Sequence, residues 1–462
     1  MKFAAILALA AVAVSSVSGA TVHPAVHRTL RSQGAVNIFV TLRAGTDTVV
    51  NAVQKANIAD RGKKITELVT ALEKNADTTQ TEVASVLVQE AASASFTRVE
   101  RFWLTNQIYI EGATIDLVLK LSGLPSVSEI TEEEIITLDP ISSTAANTTG
   151  DASILANEYG VTKIRAPEVW AKGYTGKGVV VGTIDSGVLG THTALSGNFR
   201  SAFSWYDPES KRAAPYDNNG HGTHTMGTIA GAGGIGVAPD ATWIACKGCR
   251  SSNCPQADLL ACFQFMTCPT NPAGTTKDCT QAPRLVSNSW GGGQGSTVYN
   301  SAINAWRTAG IIPIFANGNS GPSCRTANSP GDNANVIAVG ATDSSDKLAS
   351  FSSKGPSTSG LVKPEVSAPG VSVRSAWNTG TSAFNSISGT SMATPHVAGA
   401  VALLLSYKPN LTFAQIRTAL TTTAARNLPA SGSTCGSTAD SVSPNNQYGY
   451  GRIDVLAAFN SL

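Results

Sequence analysis

Three kinds of side chain in this sequence could act together on a substrate, and they lie far apart along the chain. The stretch "SGTSMATPHVAGAVALLL" (388–405) is apolar or small on nearly every helical face, yet it begins with hydroxyls at Ser388, Thr390 and Ser391. Ser and Thr cap helices by accepting from the unpaired N–H groups of a first turn, so capping alone explains such a run. A hydroxyl fixed at the start of a buried helix can also be a nucleophile, provided that a base takes its proton. Candidate bases are His221 and His224 in "DNNGHGTHTMGTIAG" (217–231), where the glycines let a neighbouring backbone come close. Asp185, closing the apolar run "GVVVGTID" (178–185), could orient such a base. Each also has a simpler reading, since Asp is common where a strand becomes a loop, and two histidines could hold a metal or merely begin a helix.

The elements that would position these residues follow from periodicity. Short continuous apolar runs at 178–185, 283–290, 310–319 and 335–342 read as strands buried on both faces. Helical stretches at 256–267 and 296–309 separate them, and such alternation predicts an α/β fold of three layers with a mostly parallel sheet. Ligands of parallel sheets bind outside the carboxyl ends of the strands, where Asp185 stands. Thr412 and Gln415 form a capping box for a further helix. The N-terminal part reads differently: the alternating run 35–43, helical spacing through Ile58, Ile65, Leu68, Val69 and Leu72, strand-like runs at 106–112 and around 127–138, and a short helix after Thr114. That order suggests a small α+β sandwich. The charge run Glu132–Glu134 reads as a solvated edge.

At 462 residues the chain exceeds one core, so two domains are expected. With 42% hydrophobic and 14% charged residues it is globular, and a net charge of +2 without a dense basic block argues against nucleic-acid binding. Residues 1–20, with one Lys, an apolar stretch and a small-residue end, read as a secretory signal too short to span a membrane. No later run approaches membrane length. The eight cysteines fit an oxidising compartment: six fall between Cys246 and Cys279, and Cys324 and Cys435, outside that cluster, are expected to pair with each other. Asn147 and Asn410 stand in glycosylation sequons.

"TIDSG", "NGHGTHTMGT" and "GTSMATPHVAG", in that order, resemble the three signature blocks of the subtilisin-like serine proteases, whose chain order is Asp, His, Ser. The resemblance extends over about 155–460. It implies that Ser391 is the nucleophile, His221 the general base and then acid, and Asp185 the group that orients the imidazole. Ser388 and Thr390 keep the capping role, and His224 and His396 become packed structural histidines. "FANGNSG" (315–321) resembles the family's oxyanion-hole turn and makes Asn319 the side-chain donor; Asn317, two residues earlier, is the competing choice. "SNSWGGG" (287–293) resembles the strand that pairs with substrate, so Ser289, Trp290 and Gly291 would contact peptide backbone. Ser329-Pro330 falls where relatives have a cis bond.

Further expectations follow from the same resemblance. The fold would be subtilisin-like, preceded by an α+β ferredoxin-like propeptide: signal 1–20, propeptide 21–140, processing linker 141–154, peptidase 155–462. The protein would be a secreted, monomeric serine endopeptidase acting on proteins and peptides through an acyl-enzyme, made as an autoprocessed zymogen with its propeptide as intramolecular inhibitor. No cofactor is implied for catalysis. His192-Thr193 lacks the acidic residue that relatives often carry, and "GAGGIGVAP" is short for a calcium loop, so metal is reduced to a weak structural calcium near Asp343. Two rivals are a lipase, for which 389–393 lacks the second glycine of G-x-S-x-G, and a secreted binding module on an inactive protease scaffold.

Overall fold

Runs of consecutive Val, Ile and Ala leave no polar face for solvent, so strands made of them must be covered on both sides. In the computed structural model, which describes residues 19–138 and 157–462, that is what happens to 178–185 and its fellows. The expected processing linker, Asn147 and nearly all of the expected signal lie outside the described residues. The chain divides into two compact units, Met1–Ala44 with Asp77–Arg101 and Gln107–Glu132, and Gly45–Ala76 with Phe102–Asn106 and Glu133–Leu462.

The first unit is built on a five-stranded sheet in the order Thr21–Val22, Val127–Glu132, Ala35–Leu42, Gln107–Thr114, Arg98–Phe102. Its central strand, Ala35–Leu42, pairs antiparallel with both neighbours. Ile38, Val40, Ile110 and Ile130 share a core with Val26 and Leu30 of the helix Pro24–Gln33 and with Leu117, Val118 and Leu121 of the helix Ile115–Ser122. The sequence gives little sign of Pro24–Gln33 or of a further helix, Thr81–Glu90, because each buries only two residues, too few to make a helical stripe.

The second unit carries a seven-stranded sheet in the order Val366–Pro369, Ile337–Thr342, Ile312–Ala316, Leu285–Asn288, Val180–Asp185, Thr242–Lys247, Trp205–Tyr206. Every neighbouring pair is parallel. The helix Thr390–Tyr407 packs across this sheet and against the helix His221–Ala230, which is why it could be apolar all round. The helix expected at 256–267 runs Gln256–Thr267, whereas the one expected at 296–309 begins only at Asn300. The N–H of Ser296 is bonded to the Ser329 hydroxyl at 3.0 Å, which holds the chain off the helical path until then. The spacing of Ile65, Leu68, Val69 and Leu72 is realised in the helix Arg61–Thr79, which buries all four, with Ile58 before its first turn.

The cysteines form four disulfides: Cys246–Cys262, Cys249–Cys254, Cys268–Cys279 and the expected Cys324–Cys435. The edge expected to be solvated around Glu132–Glu134 is used instead: a Glu133 carboxylate oxygen accepts the Ala257 N–H at 3.2 Å, in the first turn of Gln256–Thr267, where the helix dipole favours an anion. Just beyond it, Ile135–Thr137 pairs antiparallel with the strand Asn253–Pro255.

Candidate active site

Asp185 ends the strand Val180–Asp185, next to the place where strand order reverses, so its side chain emerges at the mouth of the sheet. His221 opens the helix His221–Ala230 immediately after Gly220, whose φ of 103° is a left-handed turn that favours glycine. The two meet: His221 Nδ1 lies 2.7 Å from Asp185 Oδ1, and both residues are buried. A carboxylate in that position holds the proton on Nδ1 and leaves the basic lone pair to Nε2. The helix can come this close because residue 222 is glycine; a Cβ there would stand 2.0 Å from the Gly187 carbonyl oxygen and 3.1 Å from Asp185 Cβ.

Asp217 organises the same corner, and its type gave no signal beyond its place in the "DNNGHG" block. One of its oxygens accepts from the Asn219 and Gly220 N–H groups and the Ser186 hydroxyl; the other accepts from Thr223 N–H and Oγ1. Ser186 Oγ in turn accepts the Gly222 N–H at 3.0 Å. The loop after Asp185 and the helix opened by His221 are therefore fastened to one carboxylate.

Ser391 stands in the first turn of Thr390–Tyr407 and is buried. Its hydroxyl donates to the Ser289 carbonyl at 3.0 Å, and the Ser289 hydroxyl donates back to the Ser391 carbonyl at 2.9 Å. Asn319 lies beside them: its Oδ1 accepts both the N–H (2.8 Å) and the hydroxyl (2.9 Å) of Thr390. That orientation turns the amide nitrogen away from Thr390, 3.5 Å from where a Cβ on Gly389 would be. Asn317 is wholly buried and donates to the Ser353 carbonyl at 2.7 Å, so its amide is engaged inside the core. Neither Ser388 nor Thr390 caps the helix as expected, because both hydroxyls are used elsewhere: Ser388 Oγ accepts the Ser372 N–H and Thr390 Oγ1 donates to Asn319.

His224 and His396 are fully buried. The His224 ring reaches the Val373 carbonyl at 2.9 Å, and burial drives its pKa down to about 3. The His396 ring is 2.8 Å from the Met392 carbonyl, and burial lowers it to about 4. Each is a neutral ring serving as a packing piece.

The Ser289–Gly293 segment follows the strand Leu285–Asn288. Trp290 turns inward among Phe263, Tyr299 and Phe315. Gly291 and Gly292 pass close to Ser329: a Cβ at 291 would lie 2.8 Å from its carbonyl, and the Gly292 N–H donates to that carbonyl at 2.9 Å. The Ser329-Pro330 bond is cis. A Cβ on Gly292 would lie 3.8 Å from Ile136, so the Ile135–Thr137 strand runs beside this segment as well as beside Asn253–Pro255.

Around Asp343, the place of the expected weak calcium, the acidic side chains have protein partners. Asp343 Oδ1 accepts the N–H groups of Ser345 and Lys347, and Asp346 is paired with Lys163 and Arg452. Among the described residues there is no group of three His, Cys, Asp or Glu side chains able to hold a metal, and no helix long and apolar enough to cross a membrane.

The sequence signature of the subtilase family matches residues 176–451. Bacillopeptidase F of Bacillus subtilis (strain 168) is 34% identical over 426 residues, covering 87% of this chain, which spans only 29% of that longer protein. Subtilisin DY of Bacillus licheniformis is 39% identical over 272 residues, 58% of this chain and 90% of the relative. The alkaline protease of Alkalihalobacillus alcalophilus is 33% identical over 359 residues, 75% of this chain and 83% of the relative.

Proposed function

The chain belongs to the subtilase family of serine endopeptidases, and from that premise we propose that Asp185, His221 and Ser391 form its catalytic triad. The observation that carries this reading is the buried 2.7 Å contact between His221 Nδ1 and Asp185. For reaction, the Ser391 hydroxyl leaves the Ser289 carbonyl and turns to His221 Nε2, which takes its proton as the oxygen attacks the scissile carbonyl. The imidazolium so formed, steadied by Asp185, returns the proton to the leaving amine. The amide nitrogen of Asn319 and the Ser391 N–H receive the oxyanion; losing such a donor costs on the order of 3 kcal/mol of transition-state stabilisation, a magnitude known from subtilisin. Water then repeats the sequence on the acyl-enzyme.

Peptide substrate enters as an added strand between Asn253–Pro255 and Ser289, Trp290 and Gly291. The antiparallel pairing of Ile135–Thr137 with Asn253–Pro255 supports this mode, because a segment of the chain itself lies where a substrate strand would. It supports equally an N-terminal region acting as a propeptide inhibitor, severed by Ser391 in the 141–154 linker after secretion of the zymogen. Expression of Ser391→Ala is the test. The variant should accumulate as unprocessed precursor and fail to react with a fluorophosphonate that labels the parent at Ser391. Normal maturation of the isolated variant, or an unlabelled parent, overturns the reading.

A further inference from the structure

Lys247 is the last residue of the strand Thr242–Lys247 and pairs in register with Asp185 on the adjacent parallel strand. It is 1% exposed, an unusual place for a lysine. Its Nζ reaches four oxygens: the Ser186 carbonyl (2.7 Å), Asn218 Oδ1 (2.7 Å), and the Cys249 and Arg250 carbonyls (2.9 Å each). All four only accept, so the site calls for an ammonium with three N–H donors rather than an amine with a lone pair. Burial lowers its pKa from the usual lysine value, while Asp217, Asp207, Glu209 and Asp185 oppose that fall.

The four oxygens belong to three different pieces of the site. Ser186 follows the acid. Asn218 lies in the turn between Asp217 and His221. Cys249 and Arg250 lead, through the Cys249–Cys254 disulfide, into the edge strand Asn253–Pro255. We propose that Lys247 is a positioning residue for peptide hydrolysis, one buried cation that fastens the acid loop, the base loop and the substrate-side strand together while placing its charge beside the Asp185–His221 pair. This rests on the triad reading above and adds a residue that touches neither substrate nor the reacting atoms.

The charge gives the role a signature that packing alone lacks. Near His221 the titratable groups are Asp185, Asp217, Lys247, and the buried His224 and His396; on the strand Val373–Ala376, which packs on the same helix, Arg374 is tied to Glu158. Removing the Lys247 cation from among them makes the imidazolium easier to form. In the secreted enzyme, Lys247→Met should therefore move the acid limb of the kcat/KM profile up by about half a pH unit and lower kcat by about tenfold. A limb and kcat that stay at parental values overturn the proposal, even if the melting temperature falls. Should Lys247→Met not accumulate, Asn218→Ala decides. It removes one exposed tether and leaves the charge, so kcat should drop about threefold with KM and the acid limb unmoved; an unchanged kcat overturns the proposal. Fluorophosphonate labelling of the parent is done first, so that failure of the triad reading is seen separately from failure of this one.

Discussion

Asp185 and His221 are gripped by a lattice of hydrogen bonds through Asp217, Ser186 and Thr223, whereas Ser391 stands at the end of an eighteen-residue helix gripped almost wholly by hydrocarbon. From Thr390 to Leu405 every residue of that helix is buried. Polar bonds fix direction and proton position but tolerate little displacement; apolar packing fixes location and contributes most of the stability. The difference teaches that perturbing the two ends should have different consequences, one catalytic and one thermodynamic.

The largest effect is expected at the polar end. Gly222→Ala puts a methyl against the Gly187 carbonyl, a backbone atom that cannot step aside without moving the loop after Asp185. Steady-state assays should show kcat down by at least about a hundredfold, since misplacement by an ångström costs that much. If kcat survives, the polar end is more forgiving than its bonding implies. At the apolar end, Leu403→Ala deletes a fully buried side chain in the middle of the helix. Urea unfolding in a Ser391→Ala background, which cannot digest itself, should show a loss of about 2–5 kcal/mol, while kcat of the active variant at 25 °C stays near the parent's. A large kcat loss with little destabilisation would break the contrast.

The smallest effect compares the ends by pH. His224 on the helix His221–Ala230 and His396 on the helix Thr390–Tyr407 have native pKa values of about 3 and about 4, below the ordinary 6.5. Unfolded chains bind these protons first, so stability is intact above pH 6.5 and is lost as pH falls from there towards 4. The urea midpoint should decline across that window, and His396→Gln should make the decline shallower.

The sheet was legible because fully buried strands such as 178–185 and 335–342 leave unbroken apolar runs, and the helix at 388–405 because its residues are apolar all round. Asp185, His221, Ser391 and Asn319 could be named only through family-like blocks; nothing in their types separates them from caps and turn residues. Asp217 and Lys247 stayed hidden for the opposite reason. Their work is done by contacts to backbone and side-chain groups of separate segments, and such contacts leave no periodic trace. Lys247 at the close of "WIACK" stands out only once its register with Asp185 is visible. The short helices Pro24–Gln33 and Thr81–Glu90 escaped because two buried side chains do not make a pattern.

Cys324 and Cys435 are joined across 111 positions, and Ser391 with its whole helix lies between them. A break in the backbone anywhere inside that span sheds no fragment: both new ends stay leashed to the same molecule. Self-digestion there would pass unnoticed on a gel run without thiol and appear as two bands once thiol is added.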